Sequence, residues 1–558
     1  MSASLPICRV PESKTAVSLD LSMAARHGLV TGATGTGKTV TLQALAQGFS
    51  EAGVSVFCCD VKGDLSGLAA PGGNNPKIAA AFGKLGLPEP AWKDCPAAFW
   101  DVFGKKGHPL RATVSDLGPL LLGRLMGLSD VQADSLRLLF RVADEKGLPV
   151  LDLADLRALI GWATDNAAGL KAEYGLLSSA SLGALQRSVL VLEDSGAGRF
   201  FGEPALQIGD LIRTAPDGRG MVHVLASEDL MAEPTLYATV LLHILGELFE
   251  ELPEAGDLSK PRLILLLDEA HLLFDDAPEA LVDAVERTAR LVRSKGVGLW
   301  LVTQSPLDVP ESVLGQLGNR VHHALRAYTP KDRKAVDSVA NSLRPNPRVD
   351  AAAAITELGV GEALVSFLDS DGRPTPVERA RVVPPASRIG PLSPEERSAL
   401  VAASPLGTRY DKPVDRESAY EILRGRMSAG PDGAGAPSSG PRSPGKAGPA
   451  VGRGGAREPT IEEIEAELRG WPMPGRDESV YPDYAEEPPA RRAPVSRSSG
   501  GSRPAARSGS RSTRSGGYAD SGGSFAEDLA RLALSAAGRE LGRQVVRGLL
   551  GTPSRRRR

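Results

Sequence analysis

The stretch Gly32-Ala-Thr-Gly-Thr-Gly-Lys-Thr39 decides the fold of this chain. It lies between a short apolar segment, His27–Thr31, and a segment with helical periodicity, Lys38–Glu51. In a glycine-rich loop of this kind the backbone N–H groups point inward at phosphate oxygens, and the amino end of the following helix adds positive potential. The pattern Gly-x-x-x-x-Gly-Lys-Thr between a strand and a helix therefore predicts a phosphate-binding P-loop.

Each residue type in this loop has a chemical reason to be there. Glycines let the backbone approach the phosphates closely, and we expect Lys38 to contact the β and γ phosphates of ATP. The hydroxyl of Thr39 is expected to coordinate Mg²⁺. The predicted nucleotide-binding residues of the loop and the first helical turn are Gly32, Ala33, Thr34, Gly35, Thr36, Gly37, Lys38, Thr39 and Val40.

A second motif, Leu263-Ile-Leu-Leu-Leu-Asp268-Glu269, resembles a buried strand that ends in two carboxylates. Asp268 is expected to hold Mg²⁺ through its water shell. Glu269 is expected to polarise a water molecule for in-line attack on the γ-phosphate. An apolar strand ending in acids is weak evidence alone, but after a P-loop it is strong. The acid pair also favours hydrolysis over phosphoryl transfer to a metabolite.

A third motif, Gly298–Gln304, is a predicted strand followed by a side-chain amide. We expect Gln304 to sense the γ-phosphate or to orient the attacking water, and the alternative is an amide that only caps a loop. Arg293 ends the helix before this strand. It either pairs with the helix dipole or stabilises transition-state charge in a neighbouring subunit, and its position alone leaves both open.

Asp60 and Lys62 follow the second predicted strand of the sheet, Val54–Asp60. Phosphates bind at this edge of such sheets, so both residues are predicted to contact the nucleotide, although a solvated turn is the alternative. Three histidines, His271, His322 and His323, are interpreted as packing or surface residues.

Strands and helices alternate along most of the chain, which predicts an α/β fold with a doubly wound sheet and helices on both faces. The predicted division is a first core part (1–74), a mainly helical insertion (75–215), a second core part with Asp268 and Gln304 (216–375), a C-terminal arm with short helices (376–427), a disordered Gly/Pro/Ser/Arg-rich linker (428–523) and a basic amphipathic helix (524–558).

Charge is distributed unevenly, although the formal net charge of the 558 residues is only −3. Residues 488–558 hold fifteen arginines and four acidic side chains. Such a tail suits nucleic-acid phosphate, an acidic protein partner or an anionic membrane surface. The four cysteines form no C-x-x-C pair, and no apolar stretch reaches the ~18 residues of a spanning helix. With no secretory signal at the amino terminus, we expect a cytoplasmic protein without a transmembrane segment.

Together the motifs resemble the HerA-like branch of the FtsK/HerA hexameric ATPases, and more closely a bacterial HerA-like family without an N-terminal barrel. The segments that carry this resemblance are GATGTGKT (32–39), CDVKGDLSG (59–67), EYGLLSSASLGALQRSVLVLE (173–193), LLLDEAHLLF (265–274), RSKGVGLWLVTQSPLDVP (293–310), RAYTPKD (326–332) and VERARVVPPASRIGP (377–391).

The resemblance implies a RecA-like core with an additional strand, ATP and Mg²⁺ as cofactors, and a homo-hexameric ring that binds ATP between neighbouring subunits. It implies that Arg293 is the arginine acting in trans, and that Val377–Pro391 is an arm lying across an adjacent nucleotide site. DNA-export HerA proteins begin with a small β-barrel, whereas about 27 residues precede the first predicted strand here. The wider clan often has Thr-Gln-Arg-Pro where this chain has Thr303-Gln-Ser-Pro306.

Two functions remain open from the sequence. One is a ring-shaped motor that moves or remodels duplex DNA at the expense of ATP. The other is a ring ATPase that acts on a protein client or serves as a nucleotide-gated assembly platform, with an unknown partner held by the C-terminal tail. The string Asp-Glu-Ala-His at 268–271 also suggests a two-domain helicase. That class is rejected because the residues after 330 are too few for a second RecA-like domain.

Overall fold

The computed structural model describes residues 3–73, 75–174, 178–256, 258–275 and 279–428. Apart from residue 428, the linker predicted at 428–523 and the basic helix predicted at 524–558 therefore lie outside the described residues. Within the described part of the chain, no helix is both long and apolar enough to cross a membrane.

Twelve strands of the described residues form one sheet. In chain order they are β1 (Ser4–Arg9), β2 (Ala16–Asp20), β3 (Gly28–Thr31), β4 (Ser55–Asp60), β5 (Ala97–Asp101), β6 (His108–Pro109), β7 (Val222–Ala226), β8 (Leu263–Leu267), β9 (Val297–Thr303), β10 (Asn319–His322), β11 (Glu362–Ser366) and β12 (Glu378–Val382). Their spatial order is β2-β1-β12-β11-β10-β3-β9-β8-β4-β7-β5-β6.

The sheet has a parallel body and an antiparallel flank. All neighbours from β10 to β6 pair in parallel. The strands β2, β1, β12, β11 and β10 pair in antiparallel fashion. A large parallel sheet alternating with helices confirms the predicted α/β class, and β9 is the additional strand between β3 and β8.

Helices of the described residues are, in chain order, α1 (Lys38–Glu51), α2 (Pro76–Lys84), α3 (Val114–Leu125), α4 (Asp130–Glu145), α5 (Leu153–Asp165), α6 (Ala167–Tyr174), α7 (Ser179–Asp194), α8 (Ile208–Leu211), α9 (Pro234–Glu251), α10 (Glu279–Val292), α11 (Glu311–Leu314), α12 (Pro330–Ser342), α13 (Ala351–Glu357), α14 (Pro394–Ala403), α15 (Gly407–Tyr410) and α16 (Ala419–Ser428).

Both faces of the parallel body are buried. Successive side chains of a strand point to opposite faces, and in β4 Val56 and Cys58 join one apolar cluster whereas Phe57 and Cys59 join the other. Helix α1 packs on the first face, and α3, α9 and α10 contribute to the cluster on the second. This double burial explains why β4 is a continuous apolar run rather than an alternating one.

The segment 75–215 supplies α2–α8 and also two strands of the sheet, β5 and β6. The strand β5 has the sequence AAFWD, and its Phe99 and Trp100 are buried. Aromatic residues favour such half-buried or buried strands, but the helical periodicity on both sides of β5 hides it in the sequence. The domain boundaries themselves stay predictions.

The strand predicted at His27–Thr31 is present as β3, but the prediction that it is the first strand is wrong, because β1 and β2 precede it and join the sheet. In β1, Leu5 and Ile7 are buried and Pro6 between them is exposed, which is the alternation of a strand. The proline argues against a strand when only the sequence is considered. Besides β2, the strand β1 pairs with β12, whose residues Glu378–Val382 fall in the segment predicted as a C-terminal arm. The strand predicted at Val321–Tyr328 ends at His322.

Candidate active site

The carboxyl ends of three neighbouring parallel strands bring the predicted motifs to one edge of the sheet. Thr31 of β3 pairs with Thr303 of β9, so the P-loop and Gln304 leave the sheet side by side. Leu267 of β8 pairs with Leu301 of β9, which places Asp268 at the same edge. Ligands of open parallel α/β sheets bind in the crevice at this edge.

The P-loop adopts a conformation that its glycines make possible. Gly35 has φ of 80° and Gly37 has φ of 120°, values that side chains other than glycine rarely adopt. A Cβ atom on Gly32 would lie 2.5 Å from the Cβ of His323, so a larger residue there would collide with β10's extension. These constraints explain the glycine spacing independently of any phosphate.

Lys38 is nearly buried at the mouth of the loop, with 8% of its surface exposed. Its Nζ donates to the carbonyl oxygens of Gly32 and Ala33. Burial lowers the pKa of Lys38, and the carboxylates of Asp268 and Glu269 oppose that shift. The Lys38 ammonium is thus held by loop carbonyls near two carboxylates, and its contact with phosphate oxygens stays a prediction.

Asp268 is held by contacts from two directions. Its Oδ1 accepts a hydrogen bond of 2.9 Å from the backbone N–H of Glu269, and its carbonyl oxygen accepts one of 2.6 Å from the Tyr237 hydroxyl of α9. Burial raises the pKa of Asp268 to about 6, and the charge of Glu269 adds to this rise. A bound cation would oppose this rise in pKa, because it stabilises the charged carboxylate.

Glu269 follows in a left-handed backbone conformation with φ of 49° and ψ of 46°. Non-glycine residues seldom adopt this region, and such strain occurs preferentially at functional sites. The residue is 8% exposed, and its Oε2 atom has no hydrogen-bond partner among the described residues.

Asp60 lies at the end of β4, beside β8, and its carboxylate binds backbone groups of the turn that follows it. It accepts hydrogen bonds from the backbone N–H groups of Leu65 at 3.1 Å and Ser66 at 3.0 Å, which hold the turn that follows β4. Burial raises the pKa of Asp60 to about 6. Lys62 is exposed, and its positive charge contributes a lowering of the pKa of both Asp268 and Lys38. A direct nucleotide contact of either residue stays a prediction.

Gln304 and Arg293 lie at opposite ends of β9. Gln304 follows the last residue of the strand and is exposed at the P-loop edge, whereas Arg293 precedes its first residue and is also exposed. The seven residues of β9 span ~23 Å at the usual rise of a strand. Arg293 therefore lies at the far edge of the sheet from the P-loop of its own chain.

Two histidines link the P-loop to β10 and β11 in a way the sequence did not reveal. His323 Nε2 accepts from the Thr41 hydroxyl at 2.8 Å, and its Nδ1 donates to the carbonyl oxygen of Glu362 at 2.8 Å. His322 Nδ1 lies 2.7 Å from the Thr31 hydroxyl. Burial lowers the pKa of His323 to about 4, so its ring is neutral at pH 7. Only the pairing of β10 with β3 shows that these residues support the loop.

Comparison with known proteins agrees with this geometry. A family model described as "Helicase HerA-like C-terminal" matches residues 7–467. The DNA double-strand break repair helicase HerA of Sulfolobus acidocaldarius is 24% identical over 355 residues, which are 63% of this chain and 64% of that protein. The protein of the same name from Saccharolobus solfataricus is 31% identical over 104 residues, 18% of this chain and 20% of that protein. This chain thus spans less than two thirds of the length of these relatives.

Among solved structures, the bacterial conjugative coupling protein TrwB has a TM-score of 0.45 and 18% identity, with 69% of this chain and 92% of that one covered. VirB4 of Thermoanaerobacter pseudethanolicus has a TM-score of 0.43 and 15% identity, with 71% and 98% covered. Because the family model matches well over half of the 558 residues, and the P-loop and its partner motifs meet at one sheet edge within that range, the chain belongs to the helicase HerA-like C-terminal family.

Proposed function

We propose that this protein hydrolyses ATP and works as a homo-hexameric ring motor on duplex DNA. The observation that carries the hydrolase part is the meeting of the P-loop, the Asp268–Glu269 pair and Gln304 at one edge of the sheet. In this proposal Lys38 binds the β and γ phosphates, Glu269 takes a proton from the attacking water and Gln304 orients that water.

Mg²⁺ is the metal that this site fits. It keeps several waters and uses one or two protein oxygens together with substrate phosphates. Thr39, in the first turn of α1, and the buried carboxylate of Asp268 offer such a pair of donors. When bound, Mg²⁺ neutralises charge that builds up on the phosphates.

The position of Arg293 supports the ring. Since Arg293 lies ~23 Å of strand away from the P-loop edge of its own sheet, it cannot reach a phosphate bound there. Arg293 is exposed, and in the proposed ring it would contact the nucleotide of an adjacent copy and stabilise transition-state charge there. Gln304, exposed at the other end of the same strand, would then face the nucleotide of its own subunit.

DNA as substrate rests on family membership and on relatives described as DNA double-strand break repair helicases. A protein client remains the second candidate, favoured by Ser305 where the wider clan often has arginine. The cytoplasm is proposed as the compartment, because the four cysteines are buried free thiols, as is usual in a reducing environment.

The deciding experiment measures ATPase turnover of the full chain with and without duplex DNA, with Lys38→Ala as the blank. We expect turnover that needs Mg²⁺, is absent in Lys38→Ala and rises with duplex DNA. Turnover that DNA leaves unchanged would favour the protein client, and a wild-type rate equal to the Lys38→Ala blank would contradict the hydrolase itself.

A further inference from the structure

Two unsatisfied polar atoms face one another next to the proposed water-activating carboxylate. His271 Nδ1 lies 3.5 Å from Glu269 Oε2, and neither atom has a hydrogen-bond partner among the described residues. Both atoms are shielded from solvent, although 28% of the His271 side chain is exposed. Buried polar atoms are rarely left without partners, so an unpaired donor and acceptor at this separation require an explanation.

The backbone around this pair is fixed. Glu269 donates its N–H to Asp268 Oδ1, and its carbonyl oxygen accepts from Leu272 N–H at 3.1 Å. The carbonyl oxygen of His271 accepts from the N–H groups of Phe274 and Asp275, both at 2.9 Å. Ala270 and Leu273 are fully buried on either side of His271. The two side chains therefore approach each other by rotating about their own bonds, without movement of the turn.

We propose that His271 is the positioning residue of Glu269. Its Nδ1–H donates to Oε2 when the site is engaged, and the contact shortens by ~0.6 Å to an ordinary hydrogen-bond length. The other carboxylate oxygen is then left to accept the proton of the attacking water. This inference rests on the proposed role of Glu269 as the base.

The chemistry gives this contact a purpose. A catalytic carboxylate has to be held within about 0.5 Å of its productive geometry, and that requires support for its own side chain. The backbone contacts of Glu269 fix its main chain but do not fix the rotation of its carboxylate. A donor on one carboxylate oxygen fixes that rotation and leaves the base free on the other.

A purely structural histidine is the competing explanation, and two substitutions separate the two. His271→Asn keeps a side-chain N–H donor near the position of Nδ1, whereas His271→Phe keeps the ring volume without a donor. If His271 positions Glu269, we expect His271→Phe to lower kcat about tenfold with the KM for ATP nearly unchanged, and His271→Asn to stay within about threefold of wild type. A packing role predicts the reverse order, since phenylalanine fills the space better.

The decisive readout is coupling to Glu269. Each substitution is made in the wild-type and in the Glu269→Gln chain, and single-turnover hydrolysis is measured with enzyme in excess. Asp275→Asn, at an exposed residue that ends the same turn, is the matched control and should keep the wild-type rate. We expect His271→Phe to cost little more once Glu269 is already replaced, because the group that it positions is gone.

Three outcomes would count against the proposal: a wild-type kcat in His271→Phe, an equal loss in His271→Asn, or the same fold loss in the Glu269→Gln chain. Near-normal turnover of Glu269→Gln alone is a different result, since it would refute the base rather than its positioning. Melting temperatures of all variants identify any that do not fold. If His271→Phe is one of them, the same criteria apply to His271→Ala.

Discussion

Glu269 combines a strained backbone, a buried carboxylate and a position beside the P-loop edge. We expect Glu269→Gln to keep ATP binding while hydrolysis falls by ~10² or more, as is usual when a general base is lost. The measurement pairs ATP affinity with single-turnover rate. Near-normal turnover in this variant would remove Glu269 from the mechanism.

Residue roles could be predicted from the sequence where a motif fixes both residue type and spacing. The Gly32–Thr39 loop is such a motif, and the structure puts it between a strand and a helix. The left-handed conformation of Glu269 and the closeness of His271 are not visible in a sequence, because they depend on the geometry of one turn. The close approach of His323 to Gly32 depends on the pairing of β10 with β3. In that pairing Thr31 lies beside His322, which is 291 residues later in the chain.

His27 ties three elements together, since it precedes β3, accepts from the N–H of Leu299 in β9 and donates to the carbonyl oxygen of Ala289 in α10. Its Nδ1 accepts and its Nε2–H donates. A second proton, on Nδ1, would therefore point at the N–H of Leu299, and two donors would meet. Burial lowers the pKa of His27 to about 4 from 6.5.

This arrangement predicts a pH effect on stability. Between pH 6.5 and 4 the unfolded chain binds a proton at His27 that the folded chain does not, so the contribution is complete above pH 6.5 and is lost as the pH falls toward 4. At pH 5 the loss from this residue is roughly 2 kcal/mol. His27→Asn is the variant to compare, because its amide does not titrate in this range.

Urea unfolding of wild type and His27→Asn at pH 7 and pH 5 measures this effect. We expect the variant to be less stable at pH 7, and its stability to depend less on pH by roughly the same 2 kcal/mol. Identical pH dependence in the two proteins would show that His27 is not the titrating group.

At the scale of elements, local signals were sufficient for helices and insufficient for the sheet's edges. The predicted helices Lys38–Glu51 and Pro330–Ser342 match α1 and α12, since periodicity and capping residues are local. The strands β1, β2, β5, β6, β11 and β12 were missed. β1 pairs with β12 and β5 with β7, which are distant in the sequence, whereas β2 and β6 are short edge strands that pair with a near neighbour. A strand that is buried by a remote neighbour carries only a short local pattern.

At the scale of the whole molecule, the proposed ring predicts complementation between inactive chains. Arg293→Ala should bind ATP and hydrolyse it slowly, and Lys38→Ala should not bind it productively. Mixed rings contain interfaces in which an intact P-loop meets an intact Arg293, so mixing the two proteins should restore part of the activity.

The measurement is ATPase rate against mixing ratio, with the oligomer size followed in parallel. A double variant, Lys38→Ala with Arg293→Ala, mixed with Lys38→Ala is the control and should restore nothing. Activity from a strict monomer that does not depend on concentration would contradict both the ring and the trans role.

The family match ends at residue 467, and the Gly, Pro, Ser and Arg composition after residue 428 is poor in the apolar side chains that build a core. We expect a chain that ends at residue 428 to keep its melting temperature and its basal ATPase rate. Binding of a polyanion by the basic tail should be lost with it, and in the full chain should weaken steeply between about 50 and 200 mM salt. A truncated chain that does not fold would contradict this prediction.

The strand order determines how long β3 stays unpaired while the chain is synthesised. Among the described strands, β3 at residues 28–31 pairs with β9 and β10 alone, and these end at residues 303 and 322. At the usual ~5–20 residues per second of synthesis, the ribosome needs roughly 15 to 55 s to reach the end of β9 after completing β3. During that interval the newborn P-loop strand has no neighbour on either side. A cell that makes this protein therefore holds an apolar, unpaired strand for about half of the time that synthesis of the 558 residues takes.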